Sequence, residues 1–274
     1  MFSIYILNLI RLIKYRVNEM VVKLESYGPY SVIKFNSGTK YNLFNIKFMT
    51  DMIDTLSNLE EDRSSRYVLV QGEGNFGAGA DITELKRAND DLEFARTFFN
   101  YMRQIYEKII SIQKIFIMLP ENIAYGASME MLLVSDFVIS KVGTKFAAPG
   151  GKIGVFPPVL VSIGPHLIGF QNVRRLAILG EEIDADEAAK IGLVNYVSDD
   201  PMETAKVLMD KISVMAPTSI MWMKKNISWR LRESMYEAFD DLVNQVQSDT
   251  AKEGILAFIS KNRPSWTTQP SRDS

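Results

Sequence analysis

Three features of the sequence predict an α/β fold. Short runs rich in β-branched and aromatic residues recur at 30–36, 67–71, 115–119 and 137–140, the mark of buried strands. Segments with apolar residues at helical spacing lie among them, most clearly at 45–59 and 92–112. From residue 201 to about residue 260 the strand-like runs stop and three helix-period segments follow one another, at 201–216, 217–233 and 236–260.

The size and composition narrow the chemistry. At 274 residues the chain allows one large domain or two small ones. Apolar residues make up 47% and charged residues 23%, ordinary proportions for a globular protein with ample core. A net charge of −2 gives no electrostatic reason to expect a nucleic-acid partner. With no cysteine and one histidine, His166, the chain has no disulfide, thiolate metal site or multi-histidine metal site, and little basis for a Ser-His-Asp triad. Acid–base chemistry must then rest on carboxylates, lysine, tyrosine or backbone.

Residues 1–20 read as an appended extension. The apolar run 2–10 is too short to span a bilayer, and Arg11, Lys14 and Arg16 follow it rather than precede it, the reverse of a signal peptide. The expected location is cytoplasmic. The domain proper begins near Val21, with strands at 21–25 and 30–36 joined by a Gly28-Pro29 turn, then a helix over 45–59 that Asn45 can cap.

The next stretch, 67–85, reads Y-V-L-V-Q-G-E-G-N-F-G-A-G-A-D-I-T-E-L. A strand runs into Gly72, Gly74, Gly77 and Gly79, and Asp81 can cap a helix with Glu84 as a capping-box partner. A glycine loop between a strand and a helix start presents backbone N–H groups to an anion or a polarised carbonyl. Gly72 to Gly77 also matches G-x-G-x-x-G. A dinucleotide site would need a second strand ending in an acid about 20 residues on. Asp90 and Asp91 follow L-K-R-A-N with no strand before them, so that reading is rejected. A plain glycine turn without a ligand remains open on the loop alone.

Beyond the long helix at 92–112 and the strand at 115–119, residues 123–140 read I-A-Y-G-A-S-M-E-M-L-L-V-S-D-F-V-I-S. Gly126 opens a helix to about Val134, followed by a strand at 137–140. The N–H of Ala127 falls in the first turn, where it has no intrahelical acceptor and where the helix dipole is positive. Glu130 lies three residues on, along the same face. On this helix alone the dipole suffices to explain a glutamate there, without any chemistry.

The A-G-A-D-I run and the G-A-S-M-E run, with Asp136 six residues after Glu130, resemble the first two signatures of the enoyl-CoA hydratase/isomerase (crotonase) superfamily. The resemblance spans about residues 21–266. It implies a crotonase-like (ClpP/crotonase) spiral of ββα repeats over 21–200, with a C-terminal helical trimerisation region over 201–274. It implies that Ala80 and Ala127 supply two oxyanion-hole N–H groups and that Glu130 is a catalytic glutamate. Ala78, Gly79, Asp81, Ile82 and Gly126 then border the substrate thioester, and Phe258 and Lys261 match positions that often contact the CoA of a neighbouring subunit. Ala127 and Ser128 stand where glycines are common, a change that keeps a backbone donor while narrowing the pocket.

The third signature departs from the family. In K-F-A-A-P-G-G-K-I-G-V-F-P-P, Pro149 is followed by Gly150 where a second catalytic glutamate is usual. The G-V-F-P-P run is more similar to relatives that act on cyclic dienoyl thioesters. The implied activity is hydration or dehydration of an α,β-unsaturated acyl-CoA. A double-bond isomerase and a non-catalytic acyl-CoA-binding or scaffold subunit are the alternatives. No cofactor is expected beyond the coenzyme A of the substrate, and no metal; the partner is a second copy of the chain, in a trimer or a dimer of trimers. His166 reads as structural, 183–197 as a capped helix ended by Gly192 and followed by a strand, and Lys224, Lys225, Arg230 and Arg232 as a solvated basic face.

Overall fold

A computed structural model describes residues 21–228 and 231–267; the expected extension 1–20 lies outside the described residues, as do Trp229 and Arg230. A unit of main-sheet strand, short second-layer strand and helix repeats along the chain. The first unit is β2 (Tyr30–Phe35), β3 (Leu43–Phe44) and α1 (Ile46–Glu61), preceded by β1 (Val22–Ser26). The second is β4 (Tyr67–Gly72) and β5 (Gly79–Ala80) with α2 (Ile82–Asp90) and α3 (Leu92–Ser111). The third is β6 (Ile115–Met118), β7 (Ile123–Tyr125) and α4 (Ala127–Leu133). The fourth is β8 (Phe137–Lys141) and β9 (Lys145–Ala147), followed by a 3₁₀ turn at Pro149–Ile153 and the short helices α5 (Pro158–Ser162), α6 (Gly164–Leu167) and α7 (Phe170–Ile178). β10 (Glu182–Asp184), α8 (Ala185–Lys190) and β11 (Tyr196–Ser198) complete the layered part.

The long strands form a six-stranded sheet in the order β1-β2-β4-β6-β8-β11, parallel from β2 onward. The short strands make a second layer, β3 with β5 and β10-β9-β7. This is the spiral of ββα units expected from the resemblance.

The register follows from side-chain alternation. On β4, Val68 and Val70 face the large core under α1 and α3, while Tyr67 and Leu69 face a second core closed by Leu208 and Met209 of α9 (Pro201–Ser213). Both faces of the strand are buried, which is why it reads as an unbroken apolar run.

Local chemistry places most of the element ends. Asn45, Asp91 and Asp184 each accept a hydrogen bond from the N–H three residues on, capping α1, α3 and α8. Asp81 caps α2, accepting from Thr83 N at 2.8 Å, but the capping box does not form: the Asp81 N–H donates to Phe44 O, so β3 has taken the donor that Glu84 would have used. The single helix expected over 236–260 is two, α11 (Leu231–Val246) and α12 (Asp249–Ile259), because Ser248 caps a new start through its Oγ and Ala251 N. Among the described residues no helix is long and apolar enough to cross a membrane.

The basic face is corrected at one residue. Lys224, on α10 (Pro217–Ser228), is buried rather than solvated. Its Nζ donates to Asp136 Oδ2 at 2.8 Å and to the carbonyls of Ile109 and Lys114. Helical spacing cannot distinguish a lysine that enters a carbonyl-lined hole from one that points to water.

Candidate active site

Two backbone segments from different repeats meet beside one carboxylate. The N–H of Gly77 donates to Ile123 O and the N–H of Tyr125 donates to Gly77 O, tying the glycine loop to β7. Gly126 then turns into α4 at φ 51°, a left-handed conformation that favours glycine. The loop and the helix start nearly touch: a Cβ placed on Gly79 would lie 3.1 Å from the Ala127 nitrogen. A side chain there would crowd that nitrogen, and the φ of 87° at Gly79 favours glycine as well.

Around Ala80 the neighbouring amides are taken: the Asp81 N–H donates to Phe44 O of β3 and the Gly79 N–H to Ser128 Oγ of α4. The Ala127 N–H is in the first turn of α4 and has no backbone acceptor among the described residues. The buried hydroxyl of Tyr106 donates to Ala127 O at 2.8 Å and anchors that turn from behind.

Ala80, Ala127 and Glu130 all line one cavity of about 310 Å³. Its wall is mainly apolar, from Ile82, Leu85, Phe99, Met102, Phe156 and Leu242 among others. Among the described residues, Glu130 and Lys152 are the two charged side chains on it. Glu130 is buried, and its Oε1 accepts from Val159 N at 2.7 Å and Leu160 N at 3.0 Å, at the start of α5. Burial pushes its carboxyl up to about 7, against the pull of those two amides. The carboxylate is thereby tied to the start of α5. Oε2 has no hydrogen-bond partner among the described residues.

The remaining expected residues divide. Ala78, Gly79, Ile82, Gly126 and Phe258 line the cavity; Asp81 and Lys261 do not. Asp81 is occupied as the cap of α2, and Lys261 sits in the turn after α12 while Asn262 and Pro264 reach the cavity. Phe258 borders the cavity of its own chain. Ser128 does not narrow the pocket: it is buried, and its Oγ accepts from Gly79 N at 3.3 Å, stitching the glycine loop to α4. Gly150 lines the cavity with no acid in its place. His166 is exposed and lies off the cavity lining. Reading the sequence missed Phe99, Met102 and Leu242. The first two sit three apart on one face of α3, but the periodicity that reveals a buried face does not say what it is buried against.

Comparison with known proteins agrees with this architecture. The family model of enoyl-CoA hydratase/isomerase matches residues 27–269, and the chain belongs to that family of enzymes. Among its curated relatives, a short-chain-enoyl-CoA hydratase of Clostridium acetobutylicum is 27% identical over 88% of this chain and 95% of its own length. A methylmalonyl-CoA decarboxylase of Escherichia coli is also 27% identical, over 89% of this chain and 97% of its own. A crystal structure of an enoyl-CoA hydratase from Bacillus halodurans superimposes with a TM-score of 0.81 at 19% identity, covering 86% of this chain and 99% of that one.

Proposed function

We propose that the chain hydrates an α,β-unsaturated acyl-CoA, or dehydrates the corresponding hydroxyacyl-CoA. One observation carries this reading: a single buried carboxylate with a pKa near neutrality shares an apolar cavity with two main-chain amides from separate repeats. The thioester oxygen rests against the N–H groups of Ala80 and Ala127. Glu130 takes a proton from water through Oε2 while Oε1 stays on its two amides. The water oxygen bonds to the β-carbon, and the electron pair of the double bond moves onto the thioester as an enolate. The two amides stabilise the charge on oxygen, each worth roughly 3 kcal/mol. Glu130 returns its proton to the α-carbon, which leaves the carboxylate as it began.

Glu130→Gln tests this. Turnover of crotonyl-CoA and of a cyclic dienoyl-CoA, followed by thioester absorbance, is expected to fall roughly a hundredfold or more, with acyl-CoA binding retained. Undiminished turnover would remove Glu130 from the mechanism.

Gly150 favours a second reading. With no second acid beside it, Glu130 can remove a proton from the γ-carbon and deliver it to the α-carbon, which shifts the double bond without adding water. Product analysis separates the two: a gain of water is hydration, an unchanged mass with a moved double bond is isomerisation.

The working form is a homo-oligomer, a trimer or a dimer of trimers. On α10 the one buried side chain is that of Lys224, while Trp222, Met223 and Ile227 are exposed, an apolar face that a second copy would cover. Trp222→Glu is expected to lower the mass measured by sedimentation. A native chain that sediments as a monomer at micromolar concentration would overturn the assembly.

A further inference from the structure

Behind the cavity that holds Glu130 lies a second space. Phe99 stands in the cavity's apolar wall with Leu85, Met102 and Leu242, all buried. The same residue borders a groove of about 330 Å³ between α3 and α11. That groove is open at the surface, where Arg96, Thr97 and Asp240 along it are exposed. Phe99 is the one described residue that borders both spaces, and it is itself only 2% exposed.

We propose that Phe99 is the stopper that sets the longest acyl chain this enzyme accepts, a single side chain between the apolar cavity and the groove that runs between α3 and α11. The inference rests on the acyl-thioester reading of the cavity. With the thioester oxygen at Ala80 and Ala127, an acyl chain extends along the apolar wall toward Leu85 and Met102. Each methylene that leaves water there raises affinity about fourfold. The gain ends where the next methylene meets the ring. Phe98 packs edge-on against Phe99, with ring centroids 5.3 Å apart, so the ring is braced within its own helix. Phe99 has no polar atom and no part in the proton transfers; it acts on specificity alone.

Saturated acyl-CoA esters test this, because they bind without reacting. Dissociation constants are measured for free coenzyme A and for butanoyl-, octanoyl- and dodecanoyl-CoA, on the native chain, Phe99→Ala and Phe99→Leu. The native chain is expected to gain affinity from the shorter esters and then level off or lose it. Phe99→Ala is expected to bind dodecanoyl-CoA at least tenfold more tightly relative to butanoyl-CoA than the native chain does. Phe99→Leu, which keeps the core better filled, is expected to fall between them. In the Phe99→Ala background, Val243→Phe refills the groove from its other side and is expected to restore the short limit. The same chain-length profile in the native chain and in folded Phe99→Ala or Phe99→Leu, with every ester still bound, would overturn the stopper and leave the thioester reading standing. Failure of the native chain to bind any ester better than free coenzyme A would overturn both.

Discussion

Glu130 is held in a compromise. Burial raises its pKa from 4.5 to about 7, while Val159 and Leu160 N–H oppose that rise. A carboxyl whose folded-state pKa lies above its unfolded value binds its proton more readily in the native state. Its contribution to stability is therefore most favourable below about pH 4.5 and is lost as pH climbs through about 7. The full loss is about 3 kcal/mol. Glu130→Gln keeps an oxygen for the two amides and has no charge to bury. The variant is expected to unfold at a higher temperature than the native chain at pH 8, with the gap closing at pH 4.5; calorimetry at the two pH values reads it. Activity runs the other way. As a base Glu130 works ionised, so kcat/KM is expected to rise about tenfold per pH unit below 7 and to level off above. A profile that falls through 7 instead would make its protonated form the working one.

Among the elements, α12 is the one whose placement most affects the cavity. It brings Phe258 to the opening, and it reaches the 3₁₀ turn at 149–153 because two glycines let backbones meet. A Cβ on Gly154 would lie 2.6 Å from Ala251 Cα, and one on Gly254 would lie 2.6 Å from the carbonyl carbon of Ile153. Neither neighbour is a flexible side chain that could move aside. Gly254→Ala is expected to cost about 1–3 kcal/mol, to raise hydrogen exchange in α12 above that of α3, and to weaken acyl-CoA binding. Unchanged exchange in α12 would show that the helix is held by other contacts.

Over the whole molecule, the C-terminal helices are joined to the sheet by a few buried polar contacts. Lys224 carries the largest of these, linking α10 to Asp136 before β8 and to carbonyls at the end of α3 and the start of β6. Burial pushes Asp136 up and Lys224 down, and their mutual attraction opposes both shifts. Asp136 also accepts from Phe116 N at 2.8 Å, so it cannot turn away once its cation is gone. Lys224→Met is expected to destabilise by about 3–5 kcal/mol because it leaves that carboxylate uncompensated. Lys224→Met with Asp136→Asn is expected to recover much of the loss. Equal urea midpoints for the single and double variants would mean the cost lies in packing rather than charge.

The sequence alone determined the long strands near 21–25, 30–36, 67–71, 115–119 and 137–140, the helices over 45–59 and 92–112, the caps at Asn45 and Asp81, and the two glycine-bearing segments with Glu130 between Gly126 and Asp136. Each of these rests on neighbours within a few residues, where steric and hydrogen-bond preferences act directly. It also showed that Gly150 carries no acid. Only the tertiary structure decided which groups hold the Glu130 carboxylate, that Phe258 borders the cavity, that Ser128 binds the glycine loop, and that Lys224 is buried. It alone put Phe99 on the lining of two spaces. Those properties depend on which surfaces from distant segments come together, and periodicity marks a face as covered without naming what covers it.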